Sequence, residues 1–310
     1  MKIYILDACH PAGIELAKKF CDVVCWPDPE IANWPENADG VMVRMTPITS
    51  DELKRADHVK VICKQGVGFE TIDIDAAKKY GIPILRTPGI NSEAVAEMAF
   101  ALSLSVTRRI TRFDRMLRNG QEIIRPNHLG IEMLGKTVGI IGMGNIGTRI
   151  AKKWLGAFDA KIIAFDPYAP KNQWADFPHR RVDQIQELLT EADLVTLHLP
   201  LNTENHHLIG VNELSLMKSN SVLINVSRGG LVDELALYDH LKNGHLFGAG
   251  LDVFEVEPPD PTHPLLSLEN LIATPHAAGG TYETQERSSL CVAQQVIDVL
   301  QGKEPQNRIN

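Results

Sequence analysis

Apolar runs short enough to be buried strands alternate with stretches whose apolar residues recur at helical spacing. In the first third the strand-like runs are 2–6, 23–25, 40–43, 59–63 and 83–85. Helical patterns cover 14–20 after Pro11, a segment through Ala56 capped by Ser50 or Asp51, and 74–80, stopped by Gly81. A second series of strand-like runs follows at 138–141, 161–165, 194–198, 222–226, 248–251 and 271–274. Short helices are expected between them at 185–190, 214–218 and 234–243. Strands that alternate with helices predict parallel sheets covered on both faces. Two long helical patterns separate the series. The first, 91–117, has Ser92 as a cap and an apolar face of Val95, Met98, Ala99, Leu102, Val106 and Ile110. At about 1.5 Å per residue it would run roughly 40 Å, which reads as a bridge between domains. The second, 281–301, carries the chain back, and the closing GKEPQNRIN should pack on the first domain's edge. Residues 119–135 read as an irregular surface excursion, and 167–178 as a polar loop.

The pattern therefore predicts an α/β protein of two doubly wound parallel-sheet domains. Residues 1–92 with 282–310 form one, and 93–281, inserted into it, form the other. The stretch TVGIIGMGNIGTRI says what the inserted domain holds. A buried strand runs into a turn through Gly142, Gly144, Asn145, Ile146 and Gly147, and a helix begins there. Gly142 permits the tight turn, Gly144 lets a pyrophosphate approach the backbone, and Gly147 lets the helix pack close to the strand. The helix start offers unpaired amides and a positive dipole end to the phosphates. Asp166 closes the next strand, 166 − 147 = 19 residues past the last glycine. A carboxylate there accepts hydrogen bonds from ribose hydroxyls and repels a 2′-phosphate. This is a Rossmann dinucleotide-binding unit that favours NAD over NADP. The first domain has no phosphate glycines after its first strand.

Composition narrows the field. With 31 basic and 39 acidic side chains the formal charge is −8, which disfavours nucleic acid and anionic membranes as partners. No apolar run approaches the roughly 18 residues of a membrane span, and the N-terminus does not read as a signal peptide. Five cysteines with no CxxC pair suggest free thiols in a reducing, cytoplasmic setting. Cys21 and Cys25 lie among apolar neighbours with no second pair, so no metal site is expected.

In open α/β sheets, ligands sit beyond the carboxyl ends of the strands. Arg228, Glu257 and His276 each follow a strand of the second domain. A guanidinium binds carboxylate and carbonyl oxygens and polarises the carbonyl, an imidazolium donates a proton as hydride arrives, and a carboxylate holds the ring. Together they are the parts needed to reduce a 2-keto acid. Each has a plainer reading: Arg228 bridging to Asp233 or Asp252, Glu257 as a solvated loop acid, His276 as a helix cap. Spacing alone does not choose between Glu255 and Glu257.

The segments LGKTVGIIGMGNIG, AFDPY, INVSRGGLVDE, GAGLDVFEVEPP and TPHAAGGT carry a resemblance that spans essentially the whole chain. It resembles the D-isomer-specific 2-hydroxyacid dehydrogenases, in particular their phosphoglycerate dehydrogenase branch. The resemblance implies a flavodoxin-like substrate domain around the Rossmann domain, closure of the two over substrate, and a homodimer formed through the cofactor domain. It implies Arg228 as the substrate-polarising residue, His276 as acid/base and Glu257, not Glu255, as its partner. His198, Leu199, Pro200 and Thr203 match the adenine side of the NAD pocket, Ser227 and Asp252 its nicotinamide side, and Val226 and His276 are further cofactor-binding positions. The amides of Val67 and Gly68 match the loop that holds the substrate carboxylate. Arg44 and Lys64 match basic residues directed at a substrate phosphate, against the plainer reading of solvated strand-end charge. Gln65 stands where the family often has a small residue. The implied substrate is 3-phosphoglycerate, with glyoxylate or hydroxypyruvate next. The alternative from another class is an NAD-sensing corepressor-like binding protein.

Overall fold

The computed structural model describes all residues, Met1–Asn310. The chain divides into two compact units, Met1–Asn91 with Gly280–Asn310, and Ser92–Gly279. The first is built on five strands: β1 (Lys2–Ile5), β2 (Asp22–Cys25), β3 (Gly40–Val43), β4 (Val61–Lys64) and β5 (Ile84–Arg86). All pair in parallel, in the order β2-β1-β3-β4-β5, the flavodoxin-like arrangement. One face packs Ile3, Ile5, Val61 and Leu85 against Val292, Ala293 and Val296 of the helix Tyr282–Leu300. The C-terminal residues do close on the edge strand: Arg308 bridges Leu85 antiparallel, and the amide of Ile84 donates to Asn310 Oδ1 at 2.9 Å.

The second unit carries seven parallel strands: β6 (Thr137–Ile141), β7 (Lys161–Phe165), β8 (Arg180–Arg181), β9 (Leu194–Leu197), β10 (Val222–Asn225), β11 (Gly248–Leu251) and β12 (Leu271–Ala273). Their order is β12-β11-β10-β9-β6-β7-β8, so the sheet reverses direction beside β6, where the glycine turn begins. Alternate residues feed opposite faces: Val222 and Ile224 of β10 join one core cluster and Leu223 the other. The two glycines of β11 have a packing cause. A Cβ on Gly248 would lie 2.7 Å from Val106 Cγ1, and one on Gly250 3.1 Å from Leu102 Cβ. Their absence lets the helix Ser92–Thr107 lie close on the sheet.

Some expectations need correction. The pattern 91–117 is two helices, Ser92–Thr107 and Ile110–Arg118, both inside the second unit, rather than one bridge. The break has a visible cause. Arg109 is left-handed, with φ 54°, and the Thr107 carbonyl accepts the amide of Ile131 at 2.8 Å. The excursion thus returns to take a hydrogen bond that the helix would otherwise have used. Ser92 is the first helical residue rather than a cap. The helix Ser50–Arg55 is capped by Thr49 in a reciprocal box with Glu52, one residue ahead of the expected caps. All five cysteines are free, and no helix is long and apolar enough to cross a membrane.

Candidate active site

The glycine turn leaves β6 at Gly142, whose φ is 101° and whose added Cβ would meet the His198 carbonyl oxygen at 2.3 Å. Gly147, in the first turn of the helix Asn145–Phe158, would place a Cβ 2.1 Å from the Gly142 oxygen. Both must be glycine, one for conformation and both for approach. Gly144 differs: it is exposed, and an added Cβ meets nothing within 4 Å, so open space adjoins the start of the helix. That space at a helix N-terminus fits a pyrophosphate.

Asp166 does more than the sequence indicated. Its Oδ2 accepts the Met143 amide at 2.8 Å, and Oδ1 accepts those of Tyr168 (3.0 Å) and Ala169 (3.1 Å). It ties the glycine turn to the turn after β7 and keeps acceptor capacity for ribose hydroxyls, since a carboxylate offers about four sites. His198 is buried with Nε2 3.0 Å from Thr196 Oγ1, and burial pushes it down to about 3, so the ring is neutral. Leu199, Pro200 and Thr203 follow it in the loop after β9, with Thr203 exposed. Two residues of the stretch read as a polar loop were missed. Gln173 Nε2 donates to the Met143 carbonyl at 2.6 Å, and Trp174, itself buried, donates to Thr148 Oγ1 at 2.7 Å. A lone tryptophan in a polar stretch was the available signal.

The reactive groups gather beyond β10, β11 and β12. Asn225 ends β10 inside an apolar run; its Oδ1 accepts the amide (3.0 Å) and hydroxyl (2.8 Å) of Ser227, and its Nδ2 donates to the Arg228 carbonyl (2.8 Å). This side chain, also missed, bends the chain after Val226 so that Arg228 emerges half-buried. Next to it, a Cβ on Gly229 would lie 1.9 Å from the Phe254 oxygen, so the arginine turn rests on the loop after β11. In that loop Glu257 Oε1 accepts the Phe254 amide at 3.0 Å, and Oε2 lies 2.6 Å from His276 Nδ1. Glu255 instead faces His207 Nε2 at 2.7 Å. Geometry makes the choice that spacing left open: Glu257 is the partner of His276.

Asp252 shapes the histidine loop from within. It is fully buried, and its carbonyl accepts the His276 amide at 2.7 Å. Its carboxylate takes the Thr274 hydroxyl (2.5 Å) and the amides of Ala277 and Ala278 (both 2.9 Å). Asp233 likewise spends its carboxylate capping the helix Glu234–Lys242. His276, at φ 52°, keeps a half-exposed side chain whose Nδ1 is held by a carboxylate, leaving Nε2 for a substrate oxygen.

In the first unit, Asp7 follows β1 and organises the turn after β3. Its carboxylate accepts the amides of Arg44, Met45 (3.1 Å) and Thr46 (3.0 Å) and the Thr46 hydroxyl (2.9 Å). Lys64 is buried, and its ammonium donates to the Arg44 carbonyl. It is a strut between strand ends, not a solvated charge. The Val67 side chain is exposed, and Gly68 follows it in the loop after β4. Gly66 is anchored beneath them through Thr87 Oγ1 at 2.8 Å. Gln65 reaches Gln285 Oε1 at 2.9 Å.

Residues 100–278 match the family model described as D-isomer specific 2-hydroxyacid dehydrogenase, NAD binding domain. The whole chain aligns with a D-3-phosphoglycerate dehydrogenase of Methanocaldococcus jannaschii at 39% identity, spanning 59% of that protein's length. It also aligns over its whole length with a glyoxylate reductase of Aeropyrum pernix at 36% identity, spanning 96% of it. A solved structure of a Thermus thermophilus protein superimposes with a TM-score of 0.90 at 35% identity, covering all of both chains. The chain belongs to the D-isomer specific 2-hydroxyacid dehydrogenase family and is an NAD-dependent oxidoreductase.

Proposed function

We propose that the protein interconverts a small D-2-hydroxy acid that carries a second anionic group and its 2-keto acid, with 3-phosphoglycerate and phosphohydroxypyruvate as the first pair. The observation that carries the reaction is the His276 Nδ1–Glu257 Oε2 pair at 2.6 Å beside the arginine turn. Bound NAD supplies or accepts the hydride. Its pyrophosphate would be held by the Gly142–Gly147 turn with Asn145 and Ile146, and its adenosine by Asp166, His198, Leu199, Pro200 and Thr203. Val226, Ser227 and Asp252 would border the nicotinamide. Arg228 binds the substrate's carboxylate and carbonyl oxygens and draws electron density from the carbonyl. His276 gives its Nε2 proton to the oxygen that becomes the hydroxyl, and takes it back in the reverse direction. Glu257 stabilises the charged ring and fixes its tautomer. The amides of Val67 and Gly68 hold the substrate carboxylate.

The distal anion is assigned to Arg44. Three amides of its turn are fixed by Asp7, and its carbonyl is held by Lys64, so the guanidinium is presented from a rigid base. Lys64, expected to touch the phosphate, acts in this reading through Arg44. The names of the two aligned relatives divide between phosphoglycerate dehydrogenase and glyoxylate reductase, and glyoxylate or hydroxypyruvate reduction is the second reading. The test is NADH oxidation with a panel of 2-keto acids that differ at the distal end. Phosphohydroxypyruvate should give the highest kcat/KM, and Arg44→Ala should raise its KM about tenfold, more at low salt because the lost interaction is charge on charge. If hydroxypyruvate or glyoxylate is turned over better and Arg44→Ala leaves its KM unchanged, the phosphate assignment is wrong.

A further inference from the structure

Outside the proposed chemistry, one cluster stands out: His206, His207 and Glu255, whose nitrogen and carboxylate ligand atoms all lie within 4.8 Å of one another. We propose that it is a binding site for a single transition-metal ion of the zinc, cobalt or nickel type, clamping the loop after β9 to the loop that carries Glu257.

Adjacent residues of an extended chain point to opposite sides, so two successive histidines do not ordinarily share a ligand. Here the backbone turns left-handed at His207, with φ 53°, and the two rings stack with centroids 3.9 Å apart and planes at 27°. Both imidazoles therefore stand on one side, and Glu255, 48 residues further along, reaches them from another loop. The arrangement is supported from behind. The His207 amide donates to the Gly230 carbonyl at 2.7 Å, and the Glu255 amide donates to Glu234 Oε1 at 2.7 Å. His207 Nε2 faces Glu255 at 2.7 Å, and Asp233 Oδ2 lies 4.0 Å from its Nδ1, so a second negative charge stands near the ring.

Two imidazoles and one carboxylate with a solvent-open fourth position suit zinc and its neighbours and not magnesium or calcium, which take oxygen ligands. Ligand atoms around a four-coordinate zinc lie ~3.4 Å apart, given zinc–nitrogen bonds of about 2.1 Å. The His207–Glu255 hydrogen bond at 2.7 Å would open by well under an ångström as the ion replaces the shared proton. Because Glu255 is two residues from Glu257 and His207 is bonded to the turn after Arg228, the ion would steady two loops that carry the proposed chemistry.

The experiment titrates metal-stripped protein with Zn(II) by calorimetry and with Co(II) by visible absorption. One equivalent should bind, Mg(II) should not compete, and Co(II) should show the bands of a nitrogen–oxygen site. His206→Gln and Glu255→Gln should each weaken Zn(II) about tenfold or more, whereas Cys21→Ser with Cys25→Ser should bind as the unaltered protein does. Absence of Zn(II) binding, unchanged affinity in the His206→Gln/Glu255→Gln double variant, or a thiolate-to-cobalt charge-transfer band would each overturn the proposal. NADH binding by the same variants reports that they remain folded.

Discussion

The two units share an architecture and a tactic but not a chemistry. In each, an acid near a strand end gives its carboxylate to backbone amides of a neighbouring loop: Asp7 to the Arg44–Thr46 turn, Asp252 to the 274–278 turn. A carboxylate that accepts several amides builds a rigid loop without closing a covalent ring. The difference lies in what each loop then displays. The first unit displays an arginine whose carbonyl is braced by a lysine, which the proposed function uses to hold an anion. The second displays a half-exposed histidine gripped at one nitrogen by a carboxylate, which the proposed function uses to move a proton. In that proposal the first sheet contributes substrate binding alone, and the second contributes the reaction.

That contrast breaks if substitutions in the two units have the same kinetic signature. His276→Ala should lower kcat by about 1,000-fold while NADH affinity stays within a factor of two, because only proton transfer is lost. Arg44→Ala should act on KM alone, and an equal fall in kcat would erase the distinction.

Asp166→Asn sharpens the comparison within the second unit. It keeps one acceptor oxygen for the turn amides and removes the charge, so the preference for NADH over NADPH should fall about tenfold, worth ~1.4 kcal/mol. No change in the ratio of kcat/KM values would leave Asp166 with only its loop-shaping bonds. Glu257→Gln keeps the shape of the side chain and removes the charge that favours the protonated ring. Keto-acid reduction and hydroxy-acid oxidation should then both lose kcat about tenfold or more while NADH affinity holds. An unchanged kcat would remove Glu257 from the mechanism.

The smallest effect concerns stability. Buried His198 sits at about 3 when folded, below its ordinary 6.5. Between those values the unfolded chain binds a proton that the folded one refuses, so this residue draws stability out of the second unit as pH falls from 6.5 toward 3. His198→Gln should flatten that part of the denaturation-versus-pH curve. A curve as steep as that of the unaltered protein would show that other groups set the acid sensitivity.

Where the sequence was legible, the cause was local. The glycine turn and the strands on either side of it follow from residues within one turn or strand, and the structure builds them there; the short edge strand Arg180–Arg181 carries no apolar run and was not expected. Relations between distant segments were not legible. Nothing in the run 91–117 shows that Ile131 will take the Thr107 carbonyl and end the helix. Glu255 and Glu257 differ by which loop faces them, a tertiary fact. The role of Asn225 does not show within the run 222–226, because its partners lie past the turn it creates. The His206–His207–Glu255 cluster was invisible for the same reason.

The insertion of one unit into the other has a consequence for the order in which the chain is made. The second sheet has all its strands and covering helices once Gly279 has been synthesised. The first sheet has its strands far earlier, by Arg86, but one of its faces waits for the helix Tyr282–Leu300. Gly13, in the helix Pro11–Lys18 on the same side, shows how closely the late helix is fitted, since an added Cβ would sit 2.6 Å from the Ser289 oxygen. On the ribosome, the segment made first is therefore finished last, with Ile3, Ile5, Val61 and Leu85 covered only in part, from the side of Ile14 and Ala17, throughout the elongation of the unit between. Of all the protein's apolar surface, this sheet face is the part a nascent-chain chaperone would have longest to hold.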